Sequence, residues 1–397
     1  MTRISNRIER MHESATLMMA QLSRNMRKRG IDIVDLSLGE PDFDTPEYIV
    51  QAAIKGMSEG YTHYPPVAGY EDLKEAICTK FKRDNNFIFE MDQIVVSTGA
   101  KQSLANLLFS LVNPGDEVLI PAPYWVTYDA QIRMVGGISK VLPSSIEDDF
   151  KISPSQLESG ISDKTKVFLF SSPCNPSGSV YSKEELTQLA SVFERHPNVF
   201  IISDEIYELI NFEGKHESIY QFESLRDRVA IVNGLSKGFA MTGWRLGYIA
   251  APREVASACT KMQGQITSGT CTISQRAAIE ALTTDYSTCY QMQDILQKRK
   301  DLMFSELDKI PELKVNHPKG AFYLFPNASA YFGKKYKGEI IKDADTLSMA
   351  ILKYAHVALV SGTAFGNDNC FRISYALDEV KIKEAGKRLQ KFFNSLA

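Results

Sequence analysis

Between Gln93 and Ala250 the chain repeatedly sets a continuous apolar run ahead of a segment with helical spacing, and this alternation constrains its fold more than any other feature. QIVVSTG precedes AKQSLANLLFSLV, EVLIPAPYW precedes VTYDAQIRMVG, and KVFLFSSPCNPSG precedes SKEELTQLASVFERH. NVFIISDEIYE, RVAIVNGLS and LGYIA supply further strands. Runs that are apolar at every position, rather than at alternate ones, belong to strands covered on both faces, and the helices between them supply the cover. The pattern therefore predicts an α/β fold with a mostly parallel sheet. In such sheets ligands bind outside the carboxyl ends of the strands. The residues least suited to a core fall there: Gly99 to Lys101, Tyr124 and Trp125, Asn175, Asp204 and Tyr207, then Ser236 and Lys237.

The flanks read differently. LMMAQLSRNMRKRG has helical spacing and stops at Gly30; IDIVDLSLG is a short strand leading into the loop EPDFDTP. A helix over 46–59 stops at Gly60, and EDLKEAICTKFKRD is a helix with acidic residues first and basic residues late, as its dipole favours. After about residue 290 come a long charged helix, DILQKRKDLMFSEL, short strands at AFYLFPNA and CFRISYA, and a last helix around DEVKIKEAGKRLQKFFNSL. A chain of 397 residues exceeds what one core usually serves. The expected division is a large domain over 45–290 and a smaller α+β domain from 1–44 and 291–397.

A formal net charge of −3 gives no reason to expect nucleic acid or an anionic membrane as a partner. No run of 18 apolar residues occurs, and MTRISNRIERMHESATLMMA puts polar residues where a secretory signal needs apolar ones. A cytoplasmic protein is expected, with its six widely spaced cysteines as free thiols and, lacking a close His/Cys cluster, no metal.

Several of the strand-end residues carry chemistry. Lys237 follows an apolar run in VNGLSKGFAMTGWRLGY; only an amine forms a Schiff base, and neighbouring cations lower a lysine pKa enough for base catalysis. Asp204 closes the run FIISD, where a buried carboxylate needs a partner. Gly99 and Ala100 open a helix whose first amides point at an anion. Arg372 in FRIS is an arginine inside an apolar strand, a residue whose planar fork suits a carboxylate. The plain structural alternatives are a solvated strand-end lysine, an acidic cap, a turn asparagine at Asn175 and a core tryptophan at Trp125.

Eight segments in order, SLGEPDFDTP, YPPVAGYEDLKEAI, STGAKQSL, PAPYWVTY, SSPCNPSG, SDEIYE, SKGFAMTGWRLGY and FRISYA, together resemble the fold type I pyridoxal-phosphate aminotransferases of the aspartate aminotransferase family. The resemblance runs nearly the whole length. It implies a seven-stranded, mostly parallel sheet in the large domain and pyridoxal 5'-phosphate as cofactor. By the same resemblance Lys237 forms the Schiff base and later shuttles the substrate proton, Asp204 binds the pyridine nitrogen, and Tyr207 and Asn175 reach the ring hydroxyl. Gly99, Ala100 and Lys101 belong to the phosphate loop, Ser236 and Arg245 to the phosphate, and Trp125 to the ring face. Tyr64 in YTHYPP matches a residue that reaches the phosphate of the neighbouring subunit, which implies a homodimer with shared active sites.

Arg372 matches the arginine that grips the substrate α-carboxylate, and the backbone of Gly39 helps hold it. The GAKQ loop resembles the bacterial aspartate and prephenate aminotransferases, where Lys101 and Thr16 contribute to the distal carboxylate. The expected reaction is therefore transfer from L-aspartate to 2-oxoglutarate. His12 and Glu13 stand where that subgroup often has a basic residue and a proline; a lysine there goes with prephenate use, so this departure speaks against prephenate, and prephenate, aromatic or broad specificity is the alternative. A pyridoxal-phosphate lyase or synthase would share these cofactor groups. A regulator built on the same domain is expected to carry a DNA-binding module, and no winged-helix segment or basic stretch precedes residue 30.

Overall fold

In a computed structural model of the chain, which describes residues 3–9, 11 and 13–397, the strands in chain order are β1 (Val34–Asp35), β2 (Ile94–Ser97), β3 (Glu117–Pro121), β4 (Ile138–Leu142), β5 (Thr165–Ser171), β6 (Phe200–Asp204), β7 (Val229–Gly234), β8 (Gly247–Ala250), β9 (Tyr323–Leu324), β10 (Lys335–Tyr336), β11 (Glu339–Ile340), β12 (Val357–Ala358), β13 (Val360–Ser361) and β14 (Phe371–Ser374). Seven of them form one sheet in the order β2-β8-β7-β6-β5-β3-β4. Only β8 runs against its neighbours; every other pairing in that sheet is parallel.

The all-apolar runs explain this sheet residue by residue. Along β6, Ile201 enters one core while Phe200 and Ile202 enter another; along β5, Phe168 and Phe170 face the first while Val167 and Leu169 face the second. Side chains alternate across a strand, so a run that is apolar at every position needs cover on both sides. Helices Glu47–Ser58, Glu71–Lys80, Lys183–Arg195 and Thr272–Thr283 cover one face; Ala100–Leu111, Thr127–Met134 and Arg253–Ile266 cover the other. Each fully buried Leu, Ile or Phe on these faces contributes about 1.5–3 kcal/mol.

Two local departures from the sequence expectation have clear causes. The strand ISKVL was not among the predicted ones: β4 is the sheet edge, with Ile138 and Val141 exposed, so its run is neither continuous nor cleanly alternating. The helix expected through Asp84 is α-helical only to Lys80 and widens into a π turn at Phe81–Asn85, ending at Asn86 with φ +60°.

A separate core gathers Leu36 near the N-terminus with Phe322, Leu324, Phe371, Ile373 and Leu389 from the last third of the chain. There β14 lies between β13 and β9, all antiparallel, and β1 pairs in parallel with β12. Helix Ser287–Leu307 joins the two regions, giving Cys289 and Met292 to the large-sheet core and Leu296, Met303 and Leu307 to the second. Among the described residues no helix is long and apolar enough to cross a membrane, and no His/Cys/Asp/Glu group could hold a metal.

Candidate active site

The parallel strands end together, and a cavity of about 250 Å³ opens beyond them toward β14. Asp204 is the last residue of β6, paired with Ser171 of β5 and Val232 of β7, so the sheet register fixes its position. Its carboxylate is buried at 4% exposure; the Tyr128 hydroxyl donates to it at 2.7 Å and the Ile206 amide at 3.3 Å. Burial pushes its pKa up to about 6, against the opposing pull of those two donors. Among the described residues it has no ion-pair partner.

The connection from β7 to β8 holds three predicted residues. Ser236 is buried, and the Lys237 amine donates to the Gly39 carbonyl at 2.5 Å. Enclosure of the ammonium, with the charges of Arg372 and Arg245 adding to it, pushes the Lys237 pKa down to about 8, although Glu40 works the other way. Arg245 sits in the left-handed region at φ +56° and donates to the Thr242 carbonyl at 2.8 Å. A non-glycine residue with such a φ carries strain that the surroundings must hold in place.

Opposite lies the start of helix Ala100–Leu111, capped by Gly99 at φ +79°. A Cβ on Gly99 would overlap the Arg245 guanidinium, so both the dihedral and the close approach require glycine. The amides of Ala100 and Lys101 precede the first i→i−4 bond of that helix and are available to an anion. The Lys101 ammonium lies 5.0 Å from the centroid of Trp125, and burial, then the charge of Arg245, lowers its pKa. Trp125 meets Tyr128 edge to face at 5.7 Å.

From the second region β14 contributes Arg372, which is 1% exposed. Its guanidinium donates to Asn175 Oδ1 at 3.0 Å and to the Ser37 carbonyl at 2.6 Å, and it lies between the rings of Tyr323 and Phe365 at 4.5 and 5.0 Å. Nε has no protein acceptor and no carboxylate pairs with the group among the described residues. A guanidinium that has given up its water needs an anion, so this one is prepared for a carboxylate from outside.

Thr16, Gly39, Ala100, Lys101, Trp125, Asn175, Asp204, Tyr207, Ser236, Lys237, Arg245 and Arg372 all line the one cavity, with Gly99 behind the Arg245 guanidinium. Tyr64 does not; it is 91% exposed and outside this cavity. Glu13 is exposed, and His12 lies outside the described residues. Sequence reasoning missed Tyr128, which holds Asp204, and Tyr323, whose hydroxyl meets that of Tyr207 at 2.9 Å. The hydroxyl in PAPYWVTY is a signal for the first. Nothing in AFYLFP separates Tyr323 from core.

Residues 31–389 match the family described as aminotransferase class I and II. A bifunctional aspartate aminotransferase and glutamate/aspartate-prephenate aminotransferase of Petunia hybrida is 42% identical over 98% of this chain and 82% of its own length. Among solved structures, the aspartate aminotransferase of Rhizobium meliloti superposes with a TM-score of 0.97 at 37% identity, covering 100% of both chains. That of Thermus thermophilus with maleate gives 0.93 at 35% identity, over 99% of this chain and 100% of its own. The chain belongs to the class I and II aminotransferases, pyridoxal-phosphate enzymes of fold type I.

Proposed function

We propose that this aminotransferase moves the amino group of L-aspartate to 2-oxoglutarate, giving oxaloacetate and L-glutamate, as a cytoplasmic homodimer. Residues 45–290 form its cofactor-binding domain and 1–44 with 291–397 the smaller one. The observation that carries the substrate reading is a pair of cations in one cavity: Arg372, buried with no carboxylate partner among the described residues, and Lys101, held over Trp125. A dicarboxylic amino acid offers an anion to each. Maleate, the ligand of the Thermus neighbour, is also a four-carbon dicarboxylate.

The residues present suit pyridoxal phosphate. Asp204 is a buried carboxylate with no cation partner among the described residues, the environment a protonated ring nitrogen would complete, and Gly99 keeps space where a Cβ would collide with Arg245. When bound, the cofactor supplies an electron sink for the negative charge that develops at the substrate Cα. Asp204, with a pKa of about 6, would be ionised at neutral pH and would hold the ring nitrogen in its protonated form. Ser236, Arg245 and the amides of Ala100 and Lys101 hold the phosphate, with Tyr64 of one protomer reaching the phosphate of the other. Trp125 would cover the ring face, and Tyr207 and Asn175 would hydrogen-bond the ring hydroxyl.

Arg372 orients the substrate by its α-carboxylate, helped by the backbone of Gly39, while Asn175 fixes the guanidinium plane. Lys237, its pKa lowered to about 8, would give up its own proton at small cost near neutral pH, so its amine would take the substrate Cα proton and later return it. Lys101 and Thr16 receive the distal carboxylate.

Measuring kcat/KM for aspartate, alanine and phenylalanine, with prephenate among the acceptors, tests the reading. Wild type should favour aspartate with 2-oxoglutarate. Lys101→Ala should lose about 1–3 kcal/mol with aspartate, the size of a charge-assisted contact, and far less with alanine. Arg372→Ala should harm every donor. Equal losses from Lys101→Ala on all donors, or an aromatic preference in wild type, would reject the dicarboxylate assignment. Prephenate turnover matching that of 2-oxoglutarate would make the enzyme bifunctional, as the Petunia relative is named.

A further inference from the structure

Glu205 follows Asp204 directly after β6, its amide donating to the Val232 carbonyl at 2.8 Å. Glu205 is 1% exposed, and its Oε1 accepts from Ser203 Oγ at 2.8 Å and Ser218 Oγ at 2.5 Å. Its other oxygen lies 3.0 Å from His216 Nε2, an ion-pair distance with the N–H off the ideal hydrogen-bond line. His216 is itself 8% exposed and also lines a second, polar cavity of about 560 Å³ behind the strand ends. Two carboxylates on adjacent residues, both removed from water, repel each other strongly unless one has a cation.

The groups around His216 identify that cation. Glu205 comes from the end of β6, Glu208 from the turn after it and Lys80 from the helix packed against them. Lys80 is committed to Glu208, to Asn85 Oδ1 at 2.8 Å and to Asp84 at 3.8 Å. No Lys or Arg reaches Glu205 among the described residues, so its charge can be offset only by the imidazolium of His216. Burial works against that charge, but Glu205 and Glu208 outweigh it and hold the His216 pKa above its ordinary value. The Glu205 charge in turn presses upward on the pKa of Asp204.

We propose that His216 is a positioning residue for the reaction: its imidazolium neutralises Glu205, so that Asp204 does not face the cofactor beside an uncompensated anion. The role rests on the assignment of Asp204 to the ring nitrogen. It concerns charge, not merely shape, and charge can be restored by a second substitution. His216→Asn removes the cation and leaves Glu205 beside Asp204; Glu205→Gln with His216→Asn removes both charges and keeps polar groups in both places.

The test compares the four holoenzymes, wild type, E205Q, H216N and the double variant, by the rate of cofactor release on dialysis, followed by absorbance, and by the pH profile of kcat. H216N should release cofactor about tenfold faster, with the acid limb moved up by about one pH unit, which is the same factor in a protonation equilibrium. E205Q and the double variant should lie within about threefold of wild type. A double variant as impaired as H216N, or an E205Q as impaired, overturns the proposal in favour of a packing role, and an unaltered H216N overturns it outright. Should H216N melt well below wild type, H216Q compared with E205Q/H216Q makes the same comparison. Asp204→Ala separates this failure from that of the underlying assignment: a damaged D204A with an unaltered H216N condemns the His216 role alone.

Discussion

Two places at the strand ends bury ionisable groups, and they do so in opposite ways. Around Glu208, every charge is answered from within the chain: Lys80 and Asn85 meet one oxygen, and Asn233 donates to the other at 2.5 Å. Despite burial, which alone would raise it, the charges of Lys80 and His216 and the hydrogen bonds from Lys80 and Asn85 hold the Glu208 pKa below its ordinary value. In the cavity a few residues away, among the described residues Asp204 has no cation and Arg372 no carboxylate, and Lys237 is held by a backbone carbonyl. Burial is similar, so burial alone does not mark a functional group. What marks it is a charge with no complement among the described residues.

This contrast is broken most severely at Lys237. Lys237→Ala should abolish covalent attachment of the cofactor, seen as loss of the visible absorbance of the linked form, while non-covalent binding persists; normal steady-state transamination by that variant would remove the lysine from its role. Asp204→Ala should leave the melting temperature nearly unchanged, since the residue answers no internal charge, yet lower kcat by roughly 10³-fold, or about 4 kcal/mol. Turnover within about threefold of wild type would refute its electrostatic part. The internally satisfied cluster should behave in the reverse manner. Lys80→Met leaves Glu208 charged and buried without its cation, and should cost about 3 kcal/mol of stability in urea denaturation with kcat of the folded enzyme little altered. A stable Lys80→Met enzyme with crippled turnover would place the cluster in the chemistry and dissolve the distinction.

The sequence made one half of the contrast legible and hid the other. Asp204, Lys237 and Arg372 each interrupt an apolar context, and motif order assembled them into one site. The cluster around Glu208 could not be read that way, because its members look ordinary where they stand: Lys80 ends an amphipathic helix and Asn85 falls in what reads as a charged helix tail. Only the π turn at Phe81–Asn85 brings both side chains onto Glu208, 123 residues beyond Asn85. Tyr128 and Tyr323 were hidden for a related reason, since a tyrosine in an apolar run reads as core and its hydroxyl partner is set by tertiary packing. The edge strand β4 escaped because exposure of Ile138 and Val141 spoils the pattern that marked the central strands.

The single antiparallel strand of the large sheet governs which connections tolerate a change in length. Because β8 returns beside β7, with Gly234 opposite Gly247, the connection 235–246 leaves and rejoins the sheet at the same place. Both ends are clamped: a Cβ on Gly234 would lie 2.9 Å from the Gly247 Cα, and one on Gly247 would strike the Ala100 amide. An inserted residue adds roughly 3.3–3.6 Å of chain. Between Ser236 and Arg245 that excess has nowhere to go except into the separation of the two side chains, which the proposed phosphate site requires to stay within hydrogen-bond tolerance of one group. At Glu213, Gly214 and Lys215, all exposed and with nothing within 4 Å of a Cβ built on Gly214, the same insertion would only enlarge a surface loop.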